Sequence, residues 1–273
     1  MKKIMILMLV VLLVAGCSET IEPVDEIETN EYEDFVIPTE DELLRVASWN
    51  LQVFGPTKAS DDDILDFYDL VLSQYDIIFV QEIRDKSGDA FKDLCKKFKG
   101  YECEISERDG RTTNKEQIGI IYKNNINLLS LKSLEDPNDV WERSPIVADF
   151  KVGEYEFTAY STHIKPDNAV SEIKALEQVV IDEGNVMVLG DLNADCSYYD
   201  TDEVYTFIDW EWLIRDSDDT TVSENTDCAY DRIIVNNDMI EEIYYVRIFD
   251  FDITEKYSDH YIVSVEVIVG DWK

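Results

Sequence analysis

Basic residues are scarce in this chain. Its 273 residues include 24 Lys and Arg against 60 Asp and Glu, a formal net charge of −36. A surface of that sign repels nucleic acid at long range, which counts against a tight sequence-specific DNA binder. It leaves room for an enzyme that holds phosphate locally and offsets its own charge with bound cations. Histidine is scarcer still, with two positions, His163 and His260. No apolar run is long enough to cross a bilayer, which takes about 20 residues; the first, Ile4 to Val14, stops well short. There is no internal repeat, and no second domain boundary after residue 43.

What is present starts with Lys2 and Lys3, the apolar run, and Val14-Ala15-Gly16-Cys17. That order reads as a secretory signal over residues 1–17. The cysteine directly after small residues resembles a lipobox, which implies Cys17 as the lipidated first residue of a membrane-anchored lipoprotein. An ordinary cleaved signal with an incidental cysteine is the alternative. Residues 18–43 carry eleven acidic side chains and no Lys or Arg, too little apolar surface to order themselves, and read as a flexible tether. Residues 44–273 form one domain with 49 acidic and 22 basic side chains. With 45% of the whole chain hydrophobic, a sizeable core is available. Cys95, Cys103, Cys196 and Cys228 make an even number in an exported chain, which favours disulfides whose connectivity spacing alone does not reveal.

The domain is organised around Asn185 to Cys196. Val186 to Leu189 is an apolar run suited to a sheet covered on both faces, and Gly190 then lets the chain turn into Asp191, Asn193 and Asp195. Oxygen-bearing side chains at the carboxyl end of a buried strand are where an α/β sheet usually keeps its site. A solvated turn after a core strand is the plain alternative. Leu44 to Trp49 reads as a strand ending in Asn50, and Asp76 to Glu82 as a buried strand ending in a carboxylate. Ser60 and Asp63 have capping-box spacing before Ile64, Leu65, Tyr68 and Leu72 at helical period. A helix around Ala90 to Phe98 and a strand from Tyr101 follow. Further strands are expected at Gln117–Tyr122, Ile146–Lys151 and Tyr155–His163, with a helix over Val170–Ile181. The last strands fall at Arg232–Val235, Ile243–Ile248 and Tyr261–Val269. Strands alternating with helices early and consecutive strands later imply a mixed-sheet α/β domain.

Both histidines sit at strand ends in the company of strand-end carboxylates. Histidine titrates near neutral pH, so a pair supplies one general base and one general acid for a single displacement, each with a carboxylate to hold its tautomer. A lone histidine is more often structural. Asn50, Glu82, Asp191 and Asn193 offer hard oxygen ligands of the kind Mg²⁺ accepts. Metal, two histidines and amides together suggest metal-assisted hydrolysis of a phosphoester.

Val46-Ala47-Ser48-Trp49-Asn50, Val80-Gln81-Glu82-Ile83-Arg84-Asp85, Gly190-Asp191-Leu192-Asn193-Ala194-Asp195 and Ser258-Asp259-His260-Tyr261 resemble the endonuclease/exonuclease/phosphatase superfamily, in the right order. Asp191 to Tyr198, and Trp212-Leu213-Ile214 through Asp219-Thr220-Thr221 to Asp227-Cys228-Ala229-Tyr230-Asp231-Arg232, are similar to its deoxyribonuclease I branch. The resemblance runs from about residue 44 to the end. It implies a four-layered α/β sandwich of two packed mixed β-sheets flanked by helices. It implies Glu116 paired with His163, and Asp231 with His260, one couple activating water and the other protonating the departing 3′ oxygen to leave a 5′ phosphate. Glu82 would hold catalytic Mg²⁺ (or Mn²⁺), with Asn50, Asp191, Asn193 and Asp259 near the metal and the scissile phosphate. Arg143 would contact phosphate and Arg84 the minor groove, and Arg111 matches another basic position; Arg84 pairing with an acid is the plain alternative. Cys196 and Cys228 match a structural disulfide. Asp219, Thr221, Ser223 and Thr226 fall where a structural Ca²⁺ binds, or else form an unliganded loop.

Three departures bear on the substrate. Asn114 replaces a tyrosine and Gln52 an arginine, and Leu134–Val140 is shorter and without cysteines. Losing an aromatic platform and a cation weakens duplex binding. Cys95 and Cys103 lie outside the pattern, as a private disulfide or two buried thiols. The expectation is a secreted, lipid-anchored, monomeric endonuclease that cuts DNA with little sequence preference. The alternatives are a phosphodiesterase of the same superfamily acting on a phospholipid headgroup or nucleotide, and an inactive surface-binding lipoprotein.

Overall fold

A computed structural model of the chain describes residues 37–113, 115–201 and 203–273. The signal segment, Cys17, most of the acidic tether and Asn114 lie outside the described residues. The elements are β1 (Leu43–Phe54), α1 (Pro56–Ala59), α2 (Asp62–Leu72), β2 (Ile77–Ile83), α3 (Asp89–Cys95), β3 (Tyr101–Ile105), β4 (Gln117–Lys123) and β5 (Asn127–Ser133). They continue with β6 (Ile146–Val152), β7 (Tyr155–His163), α4 (Ala169–Glu177), β8 (Asn185–Asp191), β9 (Glu211–Trp212), β10 (Asp231–Val235), α5 (Asn237–Ile240), β11 (Ile243–Phe249) and β12 (Ile262–Ile268).

The strands form two six-stranded mixed sheets, ordered β11-β12-β1-β2-β4-β3 and β5-β6-β7-β8-β10-β9. In each sheet one central pair is parallel, β1 with β2 and β7 with β8, and the rest are antiparallel. Parallel neighbours need a crossover, and a helix supplies it: α2 in the first sheet and α4 in the second. Those helices cover the outer faces, giving four layers.

Strand periodicity sorts the side chains. Leu44, Val46, Phe79, Ile120, Ala148, Phe150, Met187, Leu189 and Val265 meet between the sheets. Ala47, Trp49, Ile78 and Val80 face the other way, onto Ile64, Leu65, Tyr68 and Leu72 of α2. Val186, Val188 and Tyr160 likewise face Ile173 and Leu176 of α4. Each buried Leu, Ile, Val or Phe contributes roughly 1.5–3 kcal/mol, so the central and outer cores together hold the layers.

The helix start expected at Ser60 is set one residue later. Asp61 caps α2, its Oδ1 accepting from the N–H groups of Asp63 and Ile64 at 3.0 and 3.3 Å, while Ser60 closes the short α1. α4 ends at Glu177, short of the predicted Ile181. β5 escaped the sequence reading because it is a sheet edge, its polar Asn127, Ser130 and Lys132 interrupting the apolar alternation. Two disulfides, Cys95–Cys103 and Cys196–Cys228, are formed. The first joins α3 to β3, so of the two readings left open for that pair the disulfide holds. No helix among the described residues is long and apolar enough to cross a membrane.

Candidate active site

The buried face between the sheets continues upward into polar residues. Along β1 the inward positions run Leu44, Val46, Ser48, Asn50; along β7, Phe157, Ala159, Ser161, His163; along β8, Met187, Leu189, Asp191. Asp231 begins the inward series Asp231, Ile233, Val235 of β10. Inside this face Gln81 Nε2 donates to Ser48 Oγ at 3.0 Å and Ser161 Oγ at 3.4 Å, which closes the core beneath the site. Gly190 is required at its position: with φ at +140°, a Cβ there would lie 2.0 Å from the Thr162 carbonyl oxygen.

Glu82 breaks the alternation. By strand parity it belongs with Ile78 and Val80 on the helix side, yet its φ is +61° and the β2–β4 register shifts between Val80 and Ile83. A left-handed residue at a bulge re-aims a side chain, and here it brings the carboxylate to Asn50. Glu82 Oε1 accepts from Asn50 Nδ2 at 3.3 Å, and Oε2 from the Val53 N–H at 2.7 Å. Gln52, Val53 and Asn193 are left-handed as well. Asn193 Nδ2 donates to the Ile164 carbonyl at 3.0 Å, beside His163.

The two histidines meet over Asp191. His163 Nδ1 is 2.7 Å from Glu116 Oε2, and His260 Nδ1 is 2.7 Å from Asp231 Oδ2. A carboxylate only accepts, so in each pair Nδ1 carries the hydrogen and Nε2 is turned inward. Those Nε2 atoms lie 3.4 and 3.7 Å from the same Oδ2 of Asp191, which also accepts from Asn50 Nδ2 at 2.9 Å. Glu116 and His260 come from the first sheet's side and His163, Asp191 and Asp231 from the second, so the constellation straddles the seam.

The electrostatics follow from the neighbours. Burial raises the Glu116 carboxyl, but its hydrogen bond to His163 and the charges of His163, Arg143 and Arg84 outweigh that and hold it below the usual range. Burial alone would lower the His260 imidazole; the charges of Asp231, Asp191 and Asp259 and the hydrogen bond to Asp231 push it up instead, to about 10.

The three arginines are placed differently. Arg84 Nη2 spans Glu116 Oε1 at 3.0 Å and Glu82 Oε2 at 3.1 Å. Arg143 Nη1 reaches Glu116 Oε1 at 3.1 Å while its Nε donates to the His163 carbonyl at 2.9 Å. Arg111 does not join them: it donates to the carbonyls of Asp139 and Val140 at 2.7 and 3.2 Å, tied into the loop before Trp141.

Groups able to ligate a metal gather at the site. Asp191, Asp231 and His260 each offer a ligand atom within 4.8 Å of the others, though Asp231 and His260 already engage each other. Asp259 Oδ1 is buried without a hydrogen-bond partner among the described residues, 3.8 Å from His260 Nε2. Glu82, Asn50 and Asp259 are hard oxygen donors and fit Mg²⁺ or Mn²⁺ chemically. Asp219, Thr221, Ser223 and Thr226 share one loop. Asp219 Oδ1 accepts from the Thr221 N–H and Oγ1 at 2.9 and 2.7 Å, and Thr221 Oγ1 also approaches the Thr226 carbonyl at 3.1 Å. The Thr226 N–H donates to Ser223.

Sequence reasoning missed a group that joins the loops. Lys58 Nζ donates to the carbonyls of Leu51 and Tyr257 at 2.7 and 2.6 Å, and Tyr68 Oη to Tyr257 at 2.7 Å. Burial pulls the Lys58 ammonium down to about 8, against the opposing charges of Asp259 and Glu82. Ser258 Oγ donates to the Asn50 carbonyl at 2.5 Å and Trp49 Nε1 to that of His260 at 2.8 Å. These bonds tie the end of β1 to the segment bearing Asp259 and His260. Nothing in the local sequence around Lys58 signals that role, since both of its acceptors are backbone carbonyls.

Two packed mixed sheets with this rim of paired histidines and acids define a phosphoesterase-like architecture, and the chain belongs to the Endonuclease/Exonuclease/phosphatase family, which matches residues 47–260. Deoxyribonuclease-1 of Mus musculus is 33% identical over 258 residues, covering 81% of this chain and 90% of that protein. Deoxyribonuclease gamma of the same species is 31% identical over 273 residues, covering 85% and 87%. Among solved structures, humanized D. rerio TDP2 aligns with a TM-score of 0.66 at 14% identity, over 82% of this chain and 98% of that one. An endonuclease/exonuclease/phosphatase from Bacteroides vulgatus gives 0.61 at 16%, over 84% and 99%. These last two share the fold.

Proposed function

We propose that the chain is a divalent-cation-dependent deoxyribonuclease that hydrolyses internal DNA phosphodiester bonds with little sequence preference and leaves 5′-phosphate ends. The observation that carries this reading is the convergence on Asp191 of two histidine–carboxylate pairs, each of which spans the seam between the sheets. The 30% or greater identity to deoxyribonucleases supports the choice of DNA as substrate.

A phosphodiester set across the two inward Nε2 atoms has a base on one side and an acid on the other. One imidazole takes the proton of the attacking water, and the other gives a proton to the departing 3′ oxygen. Glu116 and Asp231 hold the tautomers and stabilise the imidazolium that forms. Asn50, Asn193 and Asp191 orient groups around the phosphate, and Arg143 and Arg84 supply positive charge beside Glu116. Glu82, with Asn50 and Asp259, would hold Mg²⁺ or Mn²⁺, which when bound neutralises charge on the phosphate. Asp219, Thr221, Ser223 and Thr226 would hold a structural Ca²⁺. The two disulfides fit an oxidising compartment. The same reading makes the protein a monomer held at a membrane through a lipid on Cys17.

The test is plasmid nicking by residues 18–273 with Mg²⁺ and Ca²⁺, beside EDTA, His163→Ala and His260→Ala. Nicked circles are expected for the wild type, none with EDTA, and a loss of at least ~100-fold for each variant. Nicking that survives both substitutions overturns the mechanism. Hydrolysis of bis-nitrophenyl phosphate without any nicking would transfer the chemistry to a phospholipid headgroup or a nucleotide.

A further inference from the structure

On a domain with 49 acidic and 22 basic side chains, a patch where cations outnumber acids stands apart from the rest of the surface. One lies between α3 and β3. A cavity of about 590 Å³ opens there over the Cys95–Cys103 disulfide, with Lys86, Lys92, Lys96 and Arg108 in its lining and Glu104 as its one carboxylate. The patch adjoins the active site through a shared wall. Arg108 Nη1 donates to the Arg84 carbonyl at 2.8 Å, and the Arg84 guanidinium reaches Glu82 and Glu116.

None of the three lysines is held in a buried ion pair among the described residues. Lys86 makes no ion pair among the described residues. Lys92 and Lys96 pair with Asp89 and Asp93 at 3.0 and 2.6 Å, both in exposed i,i+3 pairs of the kind that hold weakly in water. Lys92 lies in α3 and Lys96, four residues on, caps its end in helical conformation, so the two share one face. The disulfide fastens that helix to β3, which keeps the two sides of the rim in register. Ammonium groups on long stems serve as point charges for phosphate and carry no base information.

We propose that this rim is a second phosphate-binding surface, which holds backbone phosphates flanking the scissile one on the same DNA. The inference rests on the deoxyribonuclease reading above. It accounts for how a chain of such negative charge retains a polyanion: the attraction is concentrated beside the site.

The experiment uses residues 18–273 carrying Lys86→Glu, Lys92→Glu and Lys96→Glu together. Duplex binding is measured by fluorescence anisotropy in a His163→Ala background, between about 50 and 200 mM salt. The expected result is at least ~10-fold weaker binding at the low-salt end and a log K against log salt slope reduced by about 2–3, since each lost phosphate contact removes ~0.9. In the catalytic background, bis-nitrophenyl phosphate turnover stays unchanged, because that diester has no flanking phosphates. An unchanged slope overturns the inference, as does an equal fall in small-diester turnover. Should the triple reversal fail to fold, the Lys→Gln triple gives the same comparison with a smaller loss of slope. If the wild type turns over the small diester but never cuts DNA, the deoxyribonuclease reading fails, and the slope still decides whether the rim binds a polyanion.

Discussion

Asn50 and Asp191 join the two sheets at the site: Nδ2 of Asn50 at the end of the β1 inward face donates to Oδ2 of Asp191 at the end of β8, 2.9 Å away. The same amide also faces Glu82, so one side chain spaces two carboxylates that would otherwise repel. Asn50→Ala should lower turnover on DNA and on bis-nitrophenyl phosphate by at least ~100-fold, the usual cost of removing one oriented donor from a reacting site. It should also cost about 1–3 kcal/mol in denaturant unfolding, because Asp191 is left buried without that donor.

Asp231→Asn should be more damaging to catalysis than to substrate binding. The amide can present its N–H to His260 Nδ1 and favour the wrong tautomer, and a change of this kind costs up to ~10⁴ in kcat. Duplex affinity in Ca²⁺ should stay within about threefold of wild type, the scatter expected of an individual interaction. Equal losses in kcat and affinity would assign Asp231 to substrate contact instead.

The pH dependence of stability has a calculable sign. Glu116 is held below its ordinary value of 4.5, so its contribution is full above that pH and disappears as pH falls through the lower folded value. Glu116→Gln should therefore flatten the acid limb of an unfolding curve measured below about pH 5. His260 is raised from 6.5 to about 10, so its contribution is full below 6.5 and is lost as pH rises toward 10. His260→Gln should remove that alkaline loss and leave the acid limb in place.

The two disulfides should differ in worth. Cys196–Cys228 closes a loop of sequence separation 32 and Cys95–Cys103 one of 8. Loop-closure entropy assigns them about 3.7 and 2.6 kcal/mol respectively. Paired Cys→Ser variants, compared by urea unfolding, should fall in that order. The longer bridge also anchors the segment leading into Asp231, so its loss should slow turnover more than the loss of Cys95–Cys103 does.

Metal removal should separate two effects. EDTA should abolish nicking, and Mg²⁺ or Mn²⁺ should restore it, with Glu82→Gln needing a far higher concentration. Asp219 is the only carboxylate among the four side chains proposed to hold Ca²⁺ in the 219–226 loop, so Ca²⁺ there should be weak, with a Kd of about 10⁻⁴–10⁻³ M. Thermal unfolding followed across a Ca²⁺ titration, with Asp219→Ala as control, measures it.

Much of the architecture was legible from local pattern. β7 was read with both its ends, and β2, β4, β6, β8 and β10 to within a residue or two, because apolar alternation and turn residues mark buried strands. The polar residues near their ends were legible as candidates for the same reason, although only β7 and β8 stop on theirs, His163 and Asp191, while β1 runs past Asn50 to Phe54 and β2 past Glu82 to Ile83. The start of α2 was misplaced by one residue because Ser60 and Asp61 are both good caps, and only the local hydrogen bonds choose between them.

The chain by itself therefore determined which buried strands exist, which of their faces are covered and which polar side chains stand near their ends, since those depend on a period of two along a short segment. Tertiary structure decided the rest. It turned Glu82 against its strand parity, carried Arg111 into a neighbouring loop, paired Cys95 with Cys103 and placed Lys58 between two distant carbonyls. It also set both Nε2 atoms around one oxygen of Asp191. These contacts bridge residues far apart in sequence, or bend a backbone against its local preference, and only the packed sheets supply the energy and the distances that do so.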